Sequence, residues 1–116
     1  MSKTTQRQRA LAAWRRVPPD FRREVTDWMG EMIPHVAGAA RGEAWRHARD
    51  VLDGVGDAHL FTVVPKSARE DIVGSMRDER ESFAPRATPD DWIGRYCAAL
   101  RVAARVVKSS PLRRRS

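Results

Sequence analysis

A chain of 116 residues with 41% hydrophobic side chains and a mean hydropathy of −0.59 has room for one domain with one modest core. No apolar run is long enough to cross a bilayer, and the opening "MSKTTQRQRALAAWRR" lacks the apolar stretch of a signal peptide. The expectation is a cytoplasmic protein, and the single cysteine, Cys97, excludes an internal disulfide framework.

The net charge of +7 is unevenly placed. Residues 1–23 carry seven basic side chains and one acid; residues 24–64 carry three and seven. Residues 65–91 carry five and seven, and residues 92–116 carry seven and none. Both ends are therefore basic around a mildly acidic middle, a distribution that usually meets an anionic partner, most often nucleic acid. Nineteen of the 22 basic residues are Arg and Asn is absent, which fits a GC-rich coding bias. That bias explains Arg over Lys but not the separation of charge along the chain.

Helix signals dominate, and five helices are expected. The first spans about 4–16, with Ala10, Leu11, Trp14 and Val17 on one apolar edge, and Pro18-Pro19 stops it. The second spans about 19–33. Pro19 and Asp20 suit its first turn, and Phe21, Val25, Trp28, Met29, Met32 and Ile33 form the clearest amphipathic stripe. The third runs from about 38 to 53, with Ala40, Ala44, Ala48, Val51, Leu52 and Val55 as a small-residue face beside Trp45. "GVG" at 54–56 is its stop signal. "HLFTVV" at 59–64 is too short for periodicity to decide between a helical turn and a strand-like connector.

The fourth helix, about 67–83, opens on Ser67-Ala68-Arg69-Glu70, the pattern of a capping box, with Ile72, Val73, Met76 and Phe83 on its apolar side. For the fifth, Thr88 is the expected cap, Pro89 the first-turn residue, and Asp90-Asp91 the acids at the positive end. Trp92, Ile93, Tyr96, Cys97, Leu100, Ala103, Ala104 and Val107 should line its buried side. The fold class is thus all-α: a single-domain bundle over 1–108 with a flexible basic tail over 109–116.

Catalytic and cofactor motifs are missing. His35, His47, His59 and Cys97 lack the close pairing of a zinc site. Gly54 and Gly56 fall in a glycine pattern whose third position is His59, with no Walker lysine. Asp78, Glu79 and Glu81, interleaved with Arg77 and Arg80, read as a solvated charged face rather than a paired acid and base. Cys97 reads as a buried inert thiol and His47 as a side chain of a polar helix face. No enzymatic activity, cofactor, metal or small-molecule substrate is expected. A helix-turn-helix is disfavoured because the segment after 54–56 is too apolar to read a groove.

What remains is arginine. Arg101, Arg105 and Lys108 are spaced i, i+4, i+7 on one face of the fifth helix, with Arg95 a little off that line. Complementing the helix dipole accounts for bases in the last turn, at a few tenths of a kcal/mol each. It does not account for the absence of acids mid-helix, nor for Arg113, Arg114 and Arg115 beyond it. The first helix adds Arg7, Arg9, Arg15 and Arg16, and if helices one and five pack side by side the rows merge. Arg suits phosphate because its planar fork binds bidentately. These eleven side chains are the candidate nucleic-acid contacts. With no Asn and few Gln, base reading is not expected, and RNA or single-stranded DNA is favoured over a specific duplex site. Four Trp against one Tyr is unusual; Trp45 is the candidate for exposure at a protein interface.

A basic first helix "QRQRALAAWRR" and a basic last helix "RYCAALRVAARVVK" around a capped bundle resemble the small subunits of CRISPR effector ribonucleoproteins. That resemblance implies a non-catalytic helical bundle that contacts nucleic-acid backbone within a larger assembly. "ALAAWRRVPPDFRR" also resembles phage-encoded inhibitors of such complexes, which would place the basic face against an acidic protein surface. A small DNA-binding regulator is a third reading.

Overall fold

The computed structural model describes residues 6–56, 66–86, 88 and 91–109. Among them are five α-helices and no strand: α1 (Gln6–Arg16), α2 (Pro19–Met32), α3 (Ala39–Leu52), α4 (Lys66–Phe83) and α5 (Trp92–Lys108). Short 3₁₀ turns follow α2 and α4 at Ile33–His35 and Ala84–Arg86. The expected all-α bundle is what forms. "HLFTVV" and the tail arginines Arg113, Arg114 and Arg115 lie outside the described residues.

α5 is the centre of the bundle and packs against all four other helices. Its Leu100, Ala103, Val106 and Val107 have no solvent exposure. Ala99, Ala103 and Ala104 keep its surface thin, so neighbouring backbones can come close. Phe21, Val25 and Met29 of α2, Ala68, Ile72 and Met76 of α4, and Ala10 and Trp14 of α1 close the core around it.

Local contacts fix the directions. Tyr96 Oη of α5 donates to Glu79 Oε2 of α4 at 3.1 Å, and the Cys97 thiol points at the Arg80 carbonyl at 3.8 Å. At the other end of α5, Lys108 shares a groove with Lys66 and Arg69, so α4 runs antiparallel to α5. The start of α1 likewise lies beside the end of α5, with Gln6 and Arg9 next to Arg105 and Lys108. By Phe21 the chain has reached the first residue of α5, where the Phe21 and Trp92 rings are 5.9 Å apart. α1 is therefore antiparallel to α5 as well.

The α3 terminus closes as the "GVG" signal implies. Gly54 has φ of +80°, a left-handed conformation that glycine adopts without steric cost. Val55 N–H donates to Asp50 C=O at 2.9 Å and Gly54 N–H to Val51 C=O at 3.1 Å, the paired bonds of a Schellman turn. The carbonyl of Leu52 is then taken by the indole N–H of Trp14, buried, at 2.7 Å. A side chain of α1 thereby completes the end of α3.

Several expectations are corrected. α5 starts at Trp92, and its cap is Asp91 rather than Thr88. The Asp91 carboxylate accepts from Gly94 N–H at 2.7 Å and from Thr88 N–H at 3.4 Å, so Thr88 belongs to the preceding turn. α4 starts at Lys66, which puts Ser67 inside the first turn instead of at a cap. Val55 is 78% exposed, because the left-handed Gly54 turns the chain away from the α3 face. Ala40 is exposed in the first turn of α3.

Replacing Trp14 by Phe strands the Leu52 carbonyl and is expected to cost about 1–3 kcal/mol, read as a lower urea midpoint with little change in slope. The Gly94 N–H bond, followed by those from Thr88, holds the Asp91 carboxyl below its usual pKa. A lowered folded pKa adds stability above the unfolded value, and that contribution is lost as the group protonates. Asp91→Ala is therefore expected to be less stable than the native chain at pH 7, with the gap closing as pH falls below about 4.

Candidate nucleic-acid interface

Because α5 is sunk among four helices, only one strip of it reaches solvent. Arg101, Arg105 and Lys108, together with Ala98 and Arg95, are its exposed residues beyond the first turn. α1 and α5 pack side by side, and between them is a cleft of about 230 Å³ lined by Gln6, Arg9, Ala10, Arg105, Lys108 and Ser109. Among the described residues, three cations and no acid surround it.

The other arginines of α1 fall elsewhere. Arg15 lines a separate cleft of about 290 Å³ with Arg22 and Asp53, toward the end of α3. Arg7 is half-buried, with Nη1 enclosed and without a hydrogen-bond partner among the described residues. Arg16 and Arg95 are exposed and line none of these clefts. Thus one of the four α1 arginines, Arg9, meets the α5 row. The merging that side-by-side packing was expected to produce takes place at that end.

Three ion pairs among the described residues lie away from this strip, and another, Lys66 with Glu70 at 4.0 Å, is on α4. Arg41 pairs with Asp71, His47 with Glu43 at 3.6 Å, and Arg49 with Asp53 at 3.9 Å. Arg101, Arg105 and Lys108 make no ion pair with any described residue. Their charge is left for solvent or for a partner.

Trp45 is not the exposed tryptophan. It is 1% exposed, tilted against Trp28 at 5.7 Å, and its indole donates to Asp71 Oδ2 at 3.2 Å. The bulky ring beside the small Ala44 and Ala48 fills the space that those alanines leave. The half-exposed one is Trp92, at 49%, which sequence placed on the buried side of α5. Its periodicity is right, but at the first residue of the helix neighbours cover only one flank. It stacks on Tyr96 at 5.3 Å and 22°.

Chemistry at the other candidates is quiet. Cys97 is half-buried, and burial raises its thiol pKa despite the nearby Arg101 and Arg80 guanidiniums, which pull the other way. Burial, then the adjacent Glu79 carboxylate, likewise pushes the Tyr96 phenol far above its ordinary value. Among the described residues no group of three His, Cys, Asp or Glu side chains is placed to hold a metal, and no helix is long and apolar enough to cross a membrane. Comparison with protein-family models, with curated proteins and with solved structures returned no match to this chain.

A raised thiol pKa means little thiolate at neutral pH. Alkylation of Cys97 in the native chain is expected to be slower than in the urea-unfolded chain, followed by iodoacetamide labelling and intact mass.

Proposed function

We propose that this protein binds the phosphate backbone of nucleic acid without reading its sequence, as a non-catalytic subunit of a larger ribonucleoprotein assembly. The observation that carries the reading is the α1/α5 cleft, where Arg9, Arg105 and Lys108 converge with no acid among them. Solvation alone gives no reason to keep acids off the whole outward strip of α5. A row of like charges repels itself, and phosphates relieve that repulsion while accepting bidentate hydrogen bonds from guanidinium groups. A sequence reader would insert a protruding helix or ribbon into a groove. Here the outward strip of α5 offers cations and alanine, and the helix is embedded rather than protruding.

Trp92 supports the assembly part of the reading. A half-exposed indole packed on Phe21 and Tyr96 is the kind of rigid aromatic anchor enriched at subunit contacts. The small subunits of CRISPR effector complexes remain the group that this combination resembles.

Arg105→Glu/Lys108→Glu is expected to weaken binding to mixed-sequence RNA or DNA by at least about a hundredfold at 50 mM salt. Native binding should itself fall steeply between about 50 and 200 mM salt. Fluorescence anisotropy with labelled oligonucleotides measures both. A native chain that binds no nucleic acid even at the lower salt would contradict the reading and move the basic face to an acidic protein partner.

A further inference from the structure

The basic side chains of α4 gather on one side of the helix. Lys66, Arg69, Arg77 and Arg80 stand at i, i+3, i+11 and i+14, so they share one side of α4 with Val73 at i+7. The row is about 21 Å long at 1.5 Å per residue. Its location is fixed at both ends. Lys66, Arg69, Val73 and Arg77 line a groove of about 580 Å³ together with Lys108 of α5. At the other end Cys97 Sγ is 3.8 Å from the Arg80 carbonyl, and Arg101 stands one turn beyond Cys97 on α5. The α4 row therefore runs antiparallel beside the α5 row.

Lys108 lines this groove and the α1/α5 cleft alike, so the two are continuous across the end of α5. Two of the acids of α4 are engaged by neighbouring helices. Asp71 is held by Arg41 and by the Trp45 indole, and Glu79 by the Tyr96 hydroxyl. Glu70 is the one acid of the groove, 4.0 Å from Lys66. Arg77 and Arg80 form no ion pair with a described residue. The result is one face made of α1, α5 and α4, with cations on each helix.

Width and chemistry select the ligand. Packed helices lie 8–10 Å apart, so the face is about 16–20 Å across between its outer helices. A single strand presents one row of phosphates and gains much of its affinity by stacking bases on aromatic rings. Among the described residues, no aromatic side chain lines either cleft. The exposed indole, Trp92, is at the far end of α5, about 24 Å from Lys108. A duplex presents two phosphate rows, flanking grooves about 6 Å (minor) and 12 Å (major) wide in B-DNA, and hides its bases.

Resting on the backbone-binding reading, we infer that the interface is this three-helix face, that Arg77 and Arg80 are contacts within it, and that it takes double-stranded nucleic acid. The sequence favours RNA or single-stranded DNA over a specific duplex site; this inference concerns duplex held without sequence reading.

The test compares 20-base-pair DNA and RNA duplexes with the corresponding single strands by anisotropy. The proteins are the native chain, Arg77→Glu/Arg80→Glu, and Arg23→Glu/Arg46→Glu as a control of equal charge change on α2 and α3. Arg77→Ala/Arg80→Ala guards against a folding defect, with circular dichroism as the check. Expected is at least about tenfold tighter binding of duplex than of single strand, and loss of two phosphate contacts in the α4 variants. That loss is read as a log–log salt slope smaller by about two and affinity at least about tenfold lower. The control should change affinity by no more than about threefold, and the better duplex identifies DNA or RNA. Single strands that bind as tightly as duplex, or α4 variants that match the control, overturn this inference. If Arg105→Glu/Lys108→Glu is still defective in that case, backbone binding itself stands. No binding of any ligand by the native chain overturns both.

Discussion

α5 has to be buried on most of its circumference, and the rest of the molecule is arranged to do it. Leu100, Ala103, Val106 and Val107 are fully enclosed, and each of the other four helices packs against this one. A fully buried aliphatic side chain contributes about 1.5–3 kcal/mol, so this helix alone anchors much of the core. The alanines permit a close approach of α1 and α4 on its two flanks. What is left to solvent is a narrow strip, and on that strip the charged side chains are Arg or Lys.

The charge pattern follows from that geometry. Some of the acids gathered in the middle of the chain find partners there: Asp71 with Arg41, Glu43 with His47, and Asp53 with Arg49. The bases of α5 do not. Surface ion pairs are worth little singly, so stability gives weak pressure to leave them out or put them in. An unpaired row of three cations on a central helix, bordered by more on α1 and α4, is better explained by a ligand than by the fold. The face also offers what phosphate needs, many N–H donors on planar guanidinium groups, and the described residues of its two clefts include no ring on which loose bases would stack.

Much of the fold was legible because it rests on periodicity and on stop signals. The α2 stripe Phe21, Val25 and Met29 is buried as spaced, the proline pair 18–19 separates α1 from α2, and Gly54 closes α3. Cap positions were less legible. Thr88 and Asp91 are both good caps, and which one serves depends on the turn between them rather than on residue type. The tryptophans misled because stripe position reports the side of a helix, not its depth along the bundle. Trp92 sits on the correct side but at an uncovered end, and Trp45 borders the small-residue face yet fills the core. For the candidate interface, i, i+4, i+7 spacing found Arg101, Arg105 and Lys108. The α4 contribution was hidden because acids alternate with bases along the sequence there, and only the helical winding brings Lys66, Arg69, Arg77 and Arg80 to one side while Asp71 and Glu79 are drawn to neighbouring helices.

A titration of the ¹⁵N-labelled chain with a short duplex, followed through backbone amide and arginine Nε–H signals, addresses the account most directly. The account requires that shifts cluster on Arg9, on Arg101, Arg105 and Lys108, and on Arg77 and Arg80, and that they vanish as salt is raised. Shifts centred on α2 and α3 or on Trp92, or none at all, would contradict it.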